Sequence, residues 1–375
     1  MAYASYMQRG KKRLWSYTVR EGNKSLQYKG GFKTKREAKI EAEKVLHKLN
    51  TGSVLRTNMT LLELYQEWLD VKILPSKRSD VTKKKYITRK RVIEKLFGNS
   101  LVSEITPSQY QKVMNEYGKT VSRNMLGRLN SSIRASLQMA IADKIMIDDF
   151  TFYIELFSTK SGQSTEEKYL HSENDYQIVL HYLKSKFDYQ KSIVPFVIYF
   201  LFKTGMRYSE LIALTWDDVN EEQAYIKTYR RFNTLIHEFT PPKNKSSIRN
   251  VPITKELLEL LNHLKVNQIK NNRELGLKNE NNMIFQHYGY VYAVPDVATV
   301  NKAMKKMLKE LDIHPIITTK GARHTFGSYL WHNGVDLGVI AKVLGHKDIS
   351  MLVEVYGHTL EEKIYKEFEV IKSFL

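Results

Sequence analysis

The chain has 375 residues, and its 59 lysines and arginines against 40 aspartates and glutamates give a formal net charge of +19. That length predicts two or three domains, and the charge surplus favours a polyanionic partner, most often nucleic acid, over an acidic protein. The composition, 42% hydrophobic and 11% aromatic, excludes a disordered or fibrous chain, and the absence of cysteine excludes disulfides, thiolate metal sites and a cysteine nucleophile.

The hydrophobic segments are too short for export or membrane insertion. No apolar segment of signal-peptide length follows the basic N-terminus, and the most apolar stretch, residues 193–202, is about half the length that spans a bilayer. We therefore expect a chain that is not exported, and a buried helix over 193–202.

The positive charge is concentrated towards the N-terminus. Residues 1–56 carry a net charge of +10, residues 57–160 carry +6, and the remaining residues carry +3. This gradient indicates N-terminal segments that grip a polyanion and a more balanced C-terminal part, with a merely solvated basic surface as the alternative.

Residues 1–56 have the pattern of a small sheet followed by a helix. Residues 11–33 alternate apolar and polar positions around a turn at Gly22, and Thr34 is a candidate N-cap for an amphipathic helix. The pattern predicts about three strands and one helix, with Trp15 either in the core or stacked on a ligand. The basic residues expected to contact a polyanion are Lys11, Lys12, Arg13 and Lys33.

Residues 57–157 are predicted to form a bundle of about four helices. Thr60 is a candidate cap for the first, a proline at the first turn begins another at Thr106, and a long helix covers 122–142. The helix after Asp80 has a density of positive charge that typically follows a phosphate backbone. Its six basic residues are Lys83, Lys84, Lys85, Arg89, Lys90 and Arg91. Residues 158–168 lack apolar side chains and are the predicted linker to a third domain, 169–375.

The third domain carries two candidate chemical features in its first half. An apolar helix ends at Gly205, and Arg207 begins a new helix with Glu210 one turn later. An arginine there can donate two hydrogen bonds to a phosphate while the carboxylate holds its guanidinium, although such pairs are commonly ordinary surface ion pairs. Two predicted strands, 224–229 and 248–253, flank a turn that carries Lys243, which could act as a mobile proton donor or be simply exposed.

Two further features lie near the C-terminus. A predicted strand-to-helix junction at 318–326 places Lys320 and Arg323 one helical turn apart, with His324 beside them. His346 follows a helix-ending glycine, and Tyr356 comes ten residues later. Imidazole can donate to a phosphate oxygen, and tyrosine can form covalent intermediates.

Taken together, these four features resemble the tyrosine recombinases, the phage-type integrases, over essentially the whole chain. The order is an arginine, a hairpin lysine, His-or-Lys-x-x-Arg, Leu-Gly-His, and a tyrosine about ten residues later. The resemblance implies that Arg207 and Arg323 clamp the scissile phosphate. It implies that Lys243 protonates the leaving 5′ hydroxyl, that His346 hydrogen-bonds the phosphate, and that Tyr356 is the nucleophile.

The resemblance also implies that Glu210 orients the first arginine. One position departs from the usual pattern, because Lys320 stands where the family's second box commonly begins with histidine. Imidazole accepts a proton near neutral pH, whereas an ordinary lysine is already protonated, so we expect Lys320 to act mainly as a hydrogen-bond donor. We expect no metal ligands and no cofactor. Exchanging a phosphodiester for a phosphotyrosine conserves bond energy, so the reaction requires neither a metal nor ATP.

The N-terminal parts resemble the family's other modules. Residues 1–56 are similar to the arm-binding domain of phage integrases, and residues 57–157 to the helical core-binding domain. The predicted fold class is therefore multidomain α+β: a small three-stranded sheet plus a helix, a helical bundle, and a mostly α catalytic domain with a small β-sheet.

The implied function is site-specific recombination through a 3′-phosphotyrosyl intermediate, to integrate and excise a phage or other mobile element. The implied partners are core- and arm-type sites on double-stranded DNA, further copies of the chain in a tetramer, an excisionase and a host DNA-bending protein, in the cytoplasm of a bacterial host. The alternatives are a Xer-like or topoisomerase-like strand transferase and an inactive architectural DNA-binding protein. The amphipathic C-terminal segment, 363–375, packs either on a neighbouring subunit or on its own domain.

Overall fold

The computed structural model describes residues 2–10, 12–50, 58–160, 166–346, 348–350, 352–353, 372–373 and 375. The chain divides into two compact units, Met1–Gly162 and Gln163–Leu375. Tyr356 and nearly all of the C-terminal segment lie outside the described residues, as do Lys11 and the predicted boundary between 56 and 57. The domain limits given above therefore remain predictions.

The first unit begins with the predicted sheet and helix. Its elements are β1 (Ala2–Arg9), β2 (Leu14–Glu21), β3 (Lys24–Phe32) and α1 (Lys35–Asn50). The strands are antiparallel with β2 in the centre, and Tyr17 and Val19 of β2 pack with Ala38 and Ala42 of the helix. Trp15 is partly buried against this core, so packing accounts for it. The predicted sheet and helix are thus present, and their apolar faces pack together.

Besides a π-helical turn at Leu69–Ile73 and a 3₁₀ turn at Val102–Glu104, the described remainder of the first unit contains four α-helices. They are α2 (Leu61–Trp68), α3 (Asp80–Phe97), α4 (Pro107–Gly118) and α5 (Arg123–Ala142). Thr60 and Thr106 begin α2 and α4 with reciprocal capping boxes, to Glu63 and Gln109 respectively. The core is aromatic and aliphatic, and the hydroxyl of Tyr110 donates to the side chain of Asn130 at 2.9 Å inside it.

The second unit is mostly helical. Its helices are α6 (Glu173–Ser185), α7 (Val194–Thr204), α8 (Tyr208–Leu211), α9 (Lys255–Glu274), α10 (Val297–Glu310), α11 (Thr319–His332) and α12 (Leu337–Leu344). Helix α7 is buried along almost its whole length, because it is apolar on every face. The helices around it leave their polar faces to solvent, and the end of α7 at Gly205 is the anchor point of the site described below.

The β-strands of the second unit differ in part from the prediction. They are β4 (Val219–Asn220), β5 (Tyr225–Thr228), β6 (Arg231–Asn233), β7 (Glu238–Thr240) and β8 (Arg249–Pro252). Strands β4, β5 and β8 form an antiparallel sheet in that order, and β6 pairs with β7.

Two local predictions were wrong. The strands that flank Lys243 are not joined by a simple turn, because the β6–β7 hairpin is inserted between them. No strand precedes α11, since residues 311–318 consist of turns and irregular backbone. The segment before α11 has short apolar runs that fit irregular backbone as well as a strand, and the strands of the inserted hairpin are only three residues long.

Within the described residues, no helix combines the length and the apolar character needed to cross a membrane.

Candidate active site

Side chains from three separate segments of the second unit line one cavity of about 220 Å³. The lining residues are Arg207, Tyr208, Thr319, Lys320, Arg323, His324 and His346. Four of the six predicted catalytic residues are thus brought together although up to 139 positions separate them in the chain: Arg207, Lys320, Arg323 and His346.

Arg207 is placed by the break between α7 and α8. Gly205 ends α7 in the left-handed conformation, at a φ of 60°, and Arg207 is the N-cap of α8. Its Nη1 donates to Glu210 at 2.7 Å and to the Ser247 hydroxyl at 3.3 Å, and its Nη2 donates to the Gly345 carbonyl at 3.2 Å. The guanidinium is therefore fixed on three sides and still lines the cavity.

Glu210 is 1% exposed and is shared between two arginines. Its second oxygen accepts from Arg249 Nη2 at 3.1 Å and from the backbone N–H of Arg207 at 3.2 Å. Burial alone would raise the pKa of Glu210, but the positive charges of Arg249 and Arg207 outweigh it and hold this pKa below its usual value. The carboxylate is thus ionised at neutral pH, as the predicted orienting role requires.

Arg249 was not identified from the sequence. It lies on β8, one of the predicted strands, where a single arginine in a short strand gives no signal of its own. A buried carboxylate such as Glu210 needs cationic partners, but which cations pair with it is visible only in the folded structure.

Helix α11 supplies the next group. Lys320 and Arg323 are one turn apart and His324 follows, so all three line the cavity. Arg323 is buried, and its Nη1 donates to the Gly205 carbonyl at 2.9 Å, which ties α11 to the end of α7. Lys320 is exposed at the rim.

His346 follows the left-handed Gly345, which ends α12 at a φ of 69°. A Cβ at position 345 would lie 2.8 Å from both Arg249 Nη1 and the Ser246 carbonyl, so this close approach requires glycine. His346 is buried, and within the described part of the chain its Nδ1 has no hydrogen-bond partner. A buried polar atom of this kind is suited to a ligand that enters the cavity.

The two histidines of the cavity are neutral at physiological pH. Burial, followed by the charges of Arg323 and Arg207, lowers the pKa of His346 to about 3. Burial, followed by the charges of Lys320 and Arg323, lowers the pKa of His324 to about 4. Each imidazole can therefore donate one N–H without adding positive charge.

Among the described residues, the predicted catalytic Lys243 is not one of those that line the cavity. Lys243 is exposed between β7 and a 3₁₀ turn at Lys245–Ser247. That turn is adjacent to the site, because Ser247 contacts Arg207. Tyr356 lies outside the described residues, so its position relative to the cavity stays a prediction.

The predicted DNA-binding residues fall into two groups. Lys12, Arg13, Lys33, Lys84, Lys85 and Arg91 are exposed, whereas Lys83, Arg89 and Lys90 are partly buried. Arg89 is engaged within the bundle, since its Nη1 donates to Ser132 at 2.9 Å and its guanidinium lies 4.6 Å from the Tyr86 ring centroid. Arg89 also lines an open pocket of about 680 Å³, together with Arg78 and Arg128.

The cavity has the chemistry to bind an anion. Two guanidiniums, one ammonium and two neutral imidazoles converge on it, which suits negative charge that spreads over several oxygens. In the described ranges, no group of three or more His, Cys, Asp or Glu side chains is arranged to hold a metal ion.

Comparison with known proteins assigns the chain to a family. Residues 168–363 match the Phage integrase family, and residues 60–117 match the N-terminal SAM-like domain of phage integrases. The chain is 25% identical to a XerC-like tyrosine recombinase of Caldanaerobacter subterraneus, covering 91% of this chain and 90% of that protein. It is also 25% identical to the transposase of transposon Tn916 from Enterococcus faecalis, covering 89% of this chain and 82% of that protein.

A solved structure has the same fold. The Tn1549 transposon integrase in complex with transposon right-end DNA aligns with a TM-score of 0.66 at 21% identity, covering 84% of this chain and all of that one. The family match takes in more than half of the chain, including every segment that lines the cavity. The chain belongs to the phage integrase family and is a tyrosine-type site-specific DNA recombinase.

Proposed function

We propose that the chain integrates and excises a phage or other mobile element by cleaving and rejoining duplex DNA at Tyr356. The observation that carries this proposal is the convergence of Arg207, Lys320, Arg323 and His346 on one cavity. Such a set of donors stabilises the charge that a phosphodiester gains in its transition state.

The proposed reaction exchanges one phosphoester for another. The phenolic oxygen of Tyr356 attacks the phosphorus, the bond from phosphorus to the 5′ oxygen breaks, and the DNA is left joined to the protein through a 3′-phosphotyrosine. Lys243 gives a proton to the leaving 5′ oxygen, and the tyrosine proton passes to solvent. A second 5′ hydroxyl then attacks the phosphotyrosine, which releases the phenol and rejoins a strand.

The arginine-rich field around the cavity assists both halves of this exchange. Arg207 and Arg323 bind the non-bridging oxygens and favour the tyrosine phenolate, and His346 donates to the same phosphate. Glu210 keeps Arg207 in place, as its contacts indicate.

The proposed partner is double-stranded DNA with core- and arm-type sites. A solved lambda integrase tetramer, 14% identical to this chain with a TM-score of 0.57, is bound to a Holliday junction. By analogy, the chain would act as a homotetramer, with 1–56 on arm sites, 57–157 on core sites and 169–375 in catalysis. An excisionase and a host DNA-bending protein would set direction, and a chromosomal target would place the reaction in the bacterial cytoplasm.

The decisive experiment detects the covalent intermediate. The purified protein is incubated in EDTA with a nicked duplex that spans the element's attachment junction, and the products are separated on a denaturing gel. We expect a protein-linked DNA band that Tyr356→Phe abolishes. Specific DNA binding without such a band would contradict the proposal and favour an architectural role.

The same assay tests Lys320. As a hydrogen-bond donor at the rim, it is expected to accelerate cleavage, so Lys320→Ala should slow cleavage by about 100-fold, the usual effect of losing one such donor. Lys320→His should retain more activity than the alanine variant, because imidazole also donates. If both variants cleave at the wild-type rate and with the wild-type pH profile, Lys320 has no catalytic role.

A further inference from the structure

Arg249 occupies a position behind the cavity that the reaction described above does not use. Its side chain is 7% exposed and is not among those that line the cavity. Although it lies on β8, its guanidinium contacts three different segments: Nη2 donates to Glu210 at 3.1 Å, Nε to the Val343 carbonyl at 2.5 Å, and Nη1 to the Ser247 carbonyl at 3.1 Å.

The contacts of Arg249 parallel those of Arg207. Both arginines bind the carboxylate of Glu210, one at each oxygen. Both also bind Ser247, Arg207 at the hydroxyl and Arg249 at the carbonyl. The two guanidiniums therefore form two layers, with Arg207 facing the cavity and Arg249 behind it.

The second layer also fixes the approach to His346. Arg207 binds the Gly345 carbonyl, and Arg249 binds the Val343 carbonyl two residues earlier. The Arg249 guanidinium lies so close to Gly345 that a Cβ there would come within 2.8 Å of Nη1. Arg249 thus holds the end of α12 from which His346 enters the cavity.

We propose that Arg249 is a positioning residue of this recombinase site, which holds Glu210 for Arg207 and fixes the segment before His346 without touching DNA. The proposal rests on the proposed function, because it concerns the rate of strand cleavage. A guanidinium that is displaced by even about 1 Å can lower a rate by about 100-fold. The effect should therefore appear in the rate of cleavage and not in the affinity for DNA.

The chain offers a matched control in Arg230. Its Nη2 makes a buried ion pair with Asp218 at 2.6 Å and donates to the Thr215 hydroxyl at 2.8 Å. Arg230 is thus a largely buried arginine of the same unit, 19% exposed, with a carboxylate partner. Its hydrogen bonds reach neither Glu210 nor any residue that lines the cavity. A general loss of stability should be similar for Arg230→Lys and Arg249→Lys.

The experiment measures single-turnover cleavage of the nicked attachment duplex at saturating protein, together with DNA affinity and thermal unfolding. We expect Arg249→Lys and Arg249→Met to cleave about 10- to 100-fold more slowly, as for misplaced catalytic groups, with affinity within about 2-fold. Arg230→Lys should cleave within about 2-fold of wild type. Arg249→Lys retains the charge, so it serves as the variant that folds if the methionine variant does not.

A double-mutant cycle with Arg207→Lys separates positioning from stability. If Arg249 acts through Arg207, its loss slows cleavage far less in the Arg207→Lys background than in the wild-type background. Equal slowing in both backgrounds, or wild-type cleavage by the Arg249 variants, overturns the inference alone. Absence of covalent complex with the unmodified protein overturns the proposed function as well, so the two failures are distinguishable.

Discussion

At the scale of single residues, the buried histidines link the site to pH. Burial and neighbouring positive charge hold the pKa of His324 at about 4 and that of His346 at about 3, whereas a histidine in the unfolded chain titrates near 6.5. Between these values the unfolded state binds protons that the folded state does not. The contribution of these two histidines to the free energy of unfolding is therefore fully present above about pH 6.5, and it is lost as the pH is lowered through that window.

We expect the free energy of unfolding to decrease between pH 7 and pH 5, by up to about 1.4 kcal/mol per pH unit for each of the two histidines. His346→Gln removes one titrating group and should make this decrease shallower. Urea denaturation followed by tryptophan fluorescence at pH 7, 6 and 5 measures it. His263→Gln, at an exposed position, is the control and should leave the slope unchanged. Equal slopes for the wild-type and His346→Gln proteins would contradict the prediction.

The residue scale also shows where sequence-based inference stopped. Arg207, Lys320, Arg323 and His346 were predicted because their spacing resembles a known family, and the structure brings them to one cavity. Arg249 was missed because its contacts are long-range: Glu210 is 39 positions away and Val343 is 94 positions away. Nothing in a local pattern records such contacts. The position of Tyr356 remains a prediction from the family resemblance.

At the scale of elements, short sequence motifs predicted those features that depend on neighbouring residues alone, such as the ends of helices. The caps at Thr60 and Thr106 were visible because a capping box needs only residues three positions apart. The end of α7 at Gly205 was visible for the same reason. The β6–β7 hairpin was missed, since its three-residue strands are too short to show an alternating pattern. Short strands are stabilised by tertiary packing, which the sequence of the segment does not reveal.

The junction of α7 and α8 supports a second prediction. At Gly205, φ is positive, and a Cβ would lie 2.4 Å from Phe326 Cδ1 and 2.6 Å from Leu344 Cδ2. Gly205→Ala therefore combines backbone strain with crowding and should destabilise the protein by about 2–5 kcal/mol. Gly334→Ala is the matched control, because φ is also positive there but nothing lies within 4 Å, so it should cost only the strain, about 1–2 kcal/mol.

Urea denaturation of the two alanine variants measures the difference. Because the Gly205 carbonyl accepts from Arg323, we also expect Gly205→Ala to slow DNA cleavage, whereas Gly334→Ala should not. Equal losses of stability in the two variants would show that the crowding at α11 and α12 relaxes without cost.

At the scale of the whole molecule, the distribution of charge predicts which cations contact the DNA phosphates. The net charge falls from +10 over residues 1–56 to +6 over 57–160 and +3 over the rest. In the second unit, three arginines are paired with buried carboxylates, because Arg207 and Arg249 share Glu210 and Arg230 pairs with Asp218. In the first unit, Lys84, Lys85 and Arg91 of α3 are exposed and therefore accessible to phosphates.

This argument predicts which charges set the salt dependence of DNA binding. Each phosphate contact contributes about 0.9 to the slope of log affinity against log salt, so replacing Lys84, Lys85 and Arg91 by alanine should reduce the slope by up to about 2.7. The control replaces three exposed lysines of the second unit, Lys255, Lys270 and Lys306, each within 4.0 Å of a glutamate. It removes the same charge, yet should change the slope by less than about 1, since these lysines already have anionic neighbours.

Fluorescence anisotropy with a labelled duplex measures the affinity of the two triple variants for DNA between about 50 and 200 mM salt. Equal changes of slope in the two triple variants would mean that total charge, and not the cations of α3, sets the salt dependence of DNA binding.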